Sequence, residues 1–202
     1  MGRGNPYVGD ARTKEARKRG YPARSVFKLE ELDRRFRLLR RGATVLDLGC
    51  APGSWSLFAS RRVGPGGTVL GIDLQVCRIG GPAQLRLVQG DGTALDGERL
   101  AAWTAGRCPP FDLLLSDMAP QTIGIRAADH AASVELCEGA LAVARTWLRP
   151  GGAMAVKAFE GPELKRFELE MRTSFGSVKR LKPKGTRARS VELFLVGLGR
   201  KD

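Results

Sequence analysis

After Gly42 the chain alternates short β-prone runs with longer stretches of helical periodicity, and this alternation narrows the possible folds more than any other feature. The runs are Thr44–Leu48, Thr68–Ile72, Leu85–Val88, Phe111–Ser116 and Ala153–Ala158. Helix-like stretches at Ser54–Arg62 and Asp129–Leu148 fall between them, the second followed by the stop Pro150, Gly151, Gly152. Strands separated by helices are joined by crossovers, so the runs are expected to lie parallel in one sheet. A helix near Pro162–Thr173 and two more strand-like runs, Ser177–Leu181 and Val191–Gly197, bring the expected total to seven strands in a mostly parallel α/β sheet with helices on both faces. Upstream, Val26, Leu29, Leu32 and Phe36 recur at helical spacing, with Ser25 placed to cap the start. The 202 residues read as a single domain: a basic N-terminal extension and helix over 1–41, then the α/β core over 42–202.

Ionisable residues stand at the carboxyl ends of these runs. Asp47 ends TVLD, Asp73 follows TVLGI, Asp91 comes shortly after LRLVQG, Asp117 follows FDLLLS, and Lys157 lies within AMAVKAF. Ligands of open α/β sheets bind in the crevice outside those ends. A single aspartate after a strand is often only a turn or helix cap, but five charges along one edge outline a site. The first crossover, residues 46–55 (LDLGCAPGSW), is built of small residues that let backbone approach a ligand. It contains neither G-x-G-x-x-G nor G-x-x-x-x-G-K-[ST], so a pyrophosphate cradle lacks support. Asp73 stands where a carboxylate accepts both ribose hydroxyls of a nucleoside, and Asp91 where one meets an adenine edge. A nucleoside cofactor without phosphates fits.

Lys157, flanked by Met154, Ala155, Val156, Ala158 and Phe159, is expected to be partly desolvated. Burial disfavours an ammonium and moves it towards use as a general base, unless the side chain snorkels to solvent. Glu192 opens the last strand-like run. An antiparallel pairing with the Lys157 strand would bring it to the same sheet edge; otherwise it is an edge-strand gatekeeper.

Thirty-four Lys and Arg against 21 Asp and Glu leave a net charge of +13, carried at the two ends of the chain. Residues 1–41 and 165–201 each hold +8, whereas 42–164 hold −2. Two basic ends around a neutral body suit a polyanion, nucleic acid first among them. The four cysteines, Cys50, Cys77, Cys108 and Cys137, are widely spaced and accompanied by one histidine, which excludes a structural zinc site, and no metal is expected. The N-terminus lacks an apolar signal region, and no apolar run approaches the roughly 20 residues of a membrane span. A cytoplasmic protein with reduced cysteines is expected. A nicotinamide-dependent oxidoreductase would share the sheet but not the missing pyrophosphate motif or the positive charge. A non-catalytic RNA-binding assembly factor would explain the basic ends but not Lys157.

At Arg24-Ser25-Val26-Phe27-Lys28-Leu29, residues 46–56 (LDLGCAPGSWS), Ser116-Asp117-Met118-Ala119-Pro120, Val156-Lys157 and residues 187–192 (RARSVE), the chain resembles the RrmJ/FtsJ family of S-adenosylmethionine-dependent ribosomal RNA ribose 2′-O-methyltransferases. The likeness runs from Pro6-Tyr7 to Arg200-Lys201. It implies a Rossmann-like methyltransferase fold, S-adenosylmethionine as cofactor, an RNA partner and a catalytic tetrad of Lys28, Asp117, Lys157 and Glu192. Cofactor contacts carry over to Gly53, Trp55, Asp73, Asp91 and Asp117. The implied chemistry uses Lys157 as base, with Lys28 beside it and the carboxylates orienting the pair. The compact build favours a uridine of large-subunit (23S) rRNA over a tRNA target, and a monomer. Arg17, Lys18, Arg19 and Arg24, with Lys182, Lys184, Arg187 and Arg189, are candidates to grip phosphates. Cys50 and Ser54 depart from the Ala and Gly common in the family, and residues 75–86 diverge locally.

Overall fold

The alternating runs become the seven strands of one sheet in a computed structural model that describes residues 11–104, 110–184 and 191–202. The strands are β1 (Thr44–Leu48), β2 (Thr68–Asp73), β3 (Leu85–Gln89), β4 (Phe111–Ser116), β5 (Leu148–Phe159), β6 (Phe175–Leu181) and β7 (Glu192–Arg200), in the order β3-β2-β1-β4-β5-β7-β6. β3, β2, β1, β4 and β5 are parallel; β7 inserts antiparallel between β5 and β6. The direction of winding reverses between β1 and β4, which opens a crevice at their carboxyl ends.

The strands are apolar on both sides because both sides are covered. On β4, Leu113 and Leu115 join Val26, Leu29 and Leu32 of α2 (Val26–Phe36) and Phe58 of α3 (Ser54–Val63). Leu114 faces the other way, onto Val134, Cys137 and Leu141 of α5 (Arg126–Trp147) and Phe167 of α6 (Leu164–Ser174). One residue of register therefore decides which helical layer each leucine meets.

Two helices had no clear sequence signal. α1 (Ala11–Lys18) buries only Thr13 and Ala16, and α4 (Gly97–Thr104) only Leu100, too few apolar positions to set a period. β5 starts at Leu148, five residues earlier than expected, directly after α5. Ser25 does not cap α2 with its side chain: its backbone is helical (φ −56°, ψ −23°), whereas a capping residue is typically extended. Among the described residues no helix is long and apolar enough to cross a membrane, and no cluster of His, Cys, Asp and Glu could hold a metal.

Candidate active site

The turn from β1 into α3 is held by the two strands beside it. Gly49 and Cys50 donate their N–H groups to Ile72 O at 2.9 and 3.2 Å. Gly49 has φ +71°, and a Cβ there would lie 2.5 Å from Met118 Cγ and 2.9 Å from the Met118 backbone. The turns after β1 and β4 thus approach too closely for any side chain. Gly49→Ala is expected to cost about 2–6 kcal/mol, the sum of a left-handed backbone and an overpacked contact. Gly66→Ala, where a Cβ meets nothing within 4 Å, is the control and should stay within about 0.5 kcal/mol of wild type in urea unfolding.

Carboxylates from β1, β2 and the loop after β3 are fixed around this turn. Asp47 is fully buried, accepting a hydrogen bond from Ser56 Oγ at 2.5 Å while its Oδ1 has no hydrogen-bond partner. Burial pushes its pKa up to about 7, against the pull of Ser56, with Asp117 and Asp73 adding repulsion. Asp73 accepts the Ala51 N–H through Oδ2 and the Gln75 N–H through Oδ1, both at 2.8 Å. Asp91 accepts the hydroxyl and N–H of Thr93 at 2.7 and 2.8 Å, and the hydroxyl's bond first of all holds its carboxyl below the usual range.

A cleft of about 590 Å³ opens here, lined by Asp73, Asp91 and Asp117, with Gln121 on the loop after β4 and Leu74 and Val76 as apolar wall. Leu74 and Val76 are exposed and lie at the edge of the locally divergent stretch, where the pattern of the sequence did not single them out. Of the five edge charges, three line the cleft; Asp47 supports the turn from behind, and Lys157 stands to one side, tied to Asp117. Gly53 and Trp55, the other two cofactor candidates, stand at the start of α3 next to Ala51 and Pro52 of the cleft, and their side-chain positions are turned away from it. A Cβ on Gly53 (φ +103°) would lie 2.3 Å from Ile79 Cδ1. The Trp55 indole is 2% exposed, stacks on Phe194 at 5.6 Å and donates to Ser25 O at 2.8 Å, so its ring belongs to the core. What these two positions present towards the cleft is the start of a helix, whose first N–H groups have no partner within it. Ser54 makes a second tie to the chain before α2: its Oγ accepts the Ala23 N–H at 2.8 Å and donates to Ala23 O at 3.2 Å.

Beside the cleft the four tetrad candidates form two ion pairs. Lys157 on β5 is only 8% exposed. Its Nζ lies 3.1 Å from Asp117 Oδ1, out of line for a hydrogen bond, and donates instead to Asp117 O at 2.5 Å. Lys28, in the first turn of α2, places Nζ 2.6 Å from Glu192 Oε1. Lys157 pairs with Phe194 and Phe159 with Glu192 across the antiparallel β5–β7 ladder, so Glu192 is a same-face diagonal neighbour of Lys157. Sequence reasoning missed the support beneath: Cys137 Sγ donates to Lys157 O at 3.2 Å and Ser133 Oγ accepts the Phe159 N–H at 3.0 Å, both from the buried face of α5. Burial pushes the Cys137 thiol up to about 12. Cys50 and Cys77 lie with sulfurs 3.5 Å apart, both thiols raised by burial, and Cys108 falls outside the described residues.

Residues 21–200 match the FtsJ-like methyltransferase family over nearly the whole chain. The chain belongs to that family. It is 50% identical over 198 residues to the ribosomal RNA large subunit methyltransferase E of Sorangium cellulosum, covering 98% of this chain and 91% of that protein. The protein of the same name from Bdellovibrio bacteriovorus is 44% identical, covering 93% and 95%. A crystal structure described as a ribosomal RNA methyltransferase of Plasmodium falciparum superposes with a TM-score of 0.75 at 25% identity, covering 89% of this chain and 98% of that one. An Aeropyrum pernix fibrillarin with bound S-adenosyl-L-methionine shares the fold, with a TM-score of 0.55 at 18% identity over 80% and 68% of the two chains. S-adenosylmethionine is the cofactor of this FtsJ-like methyltransferase, as the resemblance implied.

The phosphate-contact candidates of the FtsJ-like chain are placed unequally. Arg17, Lys18, Lys182 and Lys184 are exposed. The Lys184 N–H bonds to Glu31 Oε2 at 3.0 Å, bringing the second basic segment against α2. Arg19 is engaged structurally, paired with Glu30 and seated over the rings of Tyr21 and Phe27 at 5.7 and 5.4 Å. Arg24 is partly buried, and Arg187 and Arg189 lie outside the described residues.

Proposed function

We propose that this chain methylates the 2′-hydroxyl of a ribose in RNA, specifically a uridine of large-subunit (23S) rRNA, with Lys157 as the general base. The observation that carries the reading is Asp117, which lines the cleft and holds the buried Lys157 ammonium, so that donor cavity and base share one residue. The residues fit the cofactor. Asp117 Oδ1 is buried without a hydrogen-bond donor, and each Asp73 oxygen accepts only one backbone N–H, which leaves lone pairs for ribose hydroxyls. The cleft is of the size that encloses a nucleoside-containing ligand.

When bound, the cofactor supplies a methyl group made electrophilic by its sulfonium. A ribose hydroxyl is a poor nucleophile, so its proton has to leave as the oxygen attacks. Lys157 first releases a proton from Nζ to solvent; as the free amine it then takes the hydroxyl proton, and the Asp117 carbonyl and carboxylate hold the ammonium so regenerated. The Lys28–Glu192 pair, one diagonal step away, gives a donor and an acceptor that orient the ribose. Orientation of this kind is worth several kcal/mol when reacting atoms are held at about 3–3.5 Å. A 2′-hydroxyl marks RNA, and a loop or splayed nucleotide presents it. The relatives named for the large ribosomal subunit support rRNA as the source. The reading carries with it a monomer acting in the cytoplasm.

The test is transfer of tritiated methyl groups from S-adenosylmethionine to large-subunit rRNA, to tRNA, and to the best rRNA fragment carrying a 2′-deoxy nucleotide at the labelled position. Label that blocks alkaline cleavage of the rRNA and vanishes on the deoxy fragment is expected. Label on a base, or on tRNA alone, would overturn the assignment.

A further inference from the structure

The amino-end rim of the sheet, opposite the methyl-transfer site, carries a second basic feature. α2 ends at Arg37, whose left-handed backbone (φ 53°, ψ 49°) is the only positive φ among described non-glycine residues. The turn is built on Asp33, 5% exposed: its O accepts the Arg37 N–H at 2.7 Å, its Oδ1 the Leu39 N–H at 2.8 Å and its Oδ2 Arg62 Nε at 3.1 Å. A matching carboxylate, Asp112, accepts the Thr44 N–H at 2.8 Å and Arg149 Nε at 2.6 Å. Two clefts, of about 390 and 560 Å³, meet at Arg37 and Arg40.

Asp33 and Asp112 are thus taken by Arg62 and Arg149, while Arg34, Arg37, Arg40 and Arg41 are exposed and form no ion pair among the described residues. The bland account is that arginines neutralise the carboxyl ends of α2 and α3. Each helix end presents about half a negative charge, so two ends call for about one positive charge and leave a surplus of about three. Among the described residues no carboxylate pairs with that surplus.

We infer that this arginine rim is a second phosphate-binding site for the substrate RNA, extending its footprint from the reacting ribose along α2 to the far edge of the sheet. The inference rests on the RNA reading above. α2 supplies the continuity: Lys28 stands at the reactive end and Arg37 nine residues on, a rise of about 13 Å. One strand of a duplex advances about 3.4 Å per phosphate, so about four phosphates cover that distance. Guanidinium forks on a fixed turn suit phosphate oxygens bidentately.

The test uses the full chain with Arg34→Gln, Arg40→Gln and Arg41→Gln combined, leaving the left-handed Arg37 untouched. Binding is measured across a salt series for a hairpin of about 30 nucleotides around the target and for a fragment of about three, too short to reach the rim. The hairpin should bind about tenfold or more weakly, and the slope of log affinity against log salt should fall by about 2–3, at about 0.7–0.9 per lost contact. The fragment's affinity, and turnover at saturating hairpin, should not change; the triple Lys variant should recover most of the slope. Unchanged hairpin affinity and slope would overturn the inference, as would binding of inorganic tripolyphosphate at the rim with no effect of the substitutions on RNA. An arginine-dependent slope in a protein that methylates no RNA would instead sink the proposed reaction and leave this surface standing.

Discussion

Lys157→Ala is expected to slow single-turnover methyl transfer by about 10²–10⁴-fold, the range for loss of a positioned general base, while binding of cofactor and RNA stays near wild type. Lys157→Arg sharpens the test. An arginine keeps the charge and a partner for Asp117, but it does not give up its proton and so cannot accept another. Both variants should therefore be equally slow, and the rise of rate with pH that a lysine base imposes should be absent from both. An arginine variant that turned over at nearly the wild-type rate would show that the ammonium only orients the ribose, and the base would have to be sought elsewhere.

The second large effect concerns stability rather than rate. Asp47 has an ordinary pKa of 3.8 when unfolded and about 7 in the fold, because burial disfavours its carboxylate. The folded state therefore binds this proton more tightly, and its contribution to stability is complete below about pH 3.8. It is lost progressively as pH rises to about 7, at about 1.4 kcal/mol per pH unit, roughly 4 kcal/mol in all. Asp47→Asn keeps the shape and an acceptor for Ser56 but cannot ionise. In urea unfolding the two proteins should be nearly matched at pH 4, and the variant should be the more stable by several kcal/mol at pH 8. Parallel curves for the two proteins would mean that Asp47 is ionised, or solvated, throughout. The difference between the proteins isolates this group from the many surface charges that titrate over the same range.

The sheet was legible because its strands carry a strong local signal. TVLDL, TVLGI and FDLLLS are short apolar runs bounded by glycine or charge, and each became a strand within a residue of its expected end. The pairing of β5 with β7 was legible too, since Glu192 had a reason to sit opposite the end of the Lys157 strand. Where side chains point was less so. The resemblance names Trp55 as a cofactor contact without saying which of its atoms would serve, and the fold engages its indole with Phe194 and Ser25, two partners 139 and 30 positions away that no local pattern reveals. Ser54, a departure from the family's glycine, turns out to hold Ala23 by both its N–H and its carbonyl. The arginines of residues 34–41 counted towards the basic N-terminal segment, yet only the fold shows that they face away from the chemistry while α2 connects the two rims.

The ties between the starts of α2 and α3 have a mechanical result. Trp55 grips Ser25 and Ser54 grips Ala23, so the helix that delivers Lys28 is yoked to the one that opens the donor's berth. The first turns of the two helices therefore cannot slide past each other without breaking these three hydrogen bonds, which fixes the spacing between Lys28 and the mouth of the donor's berth.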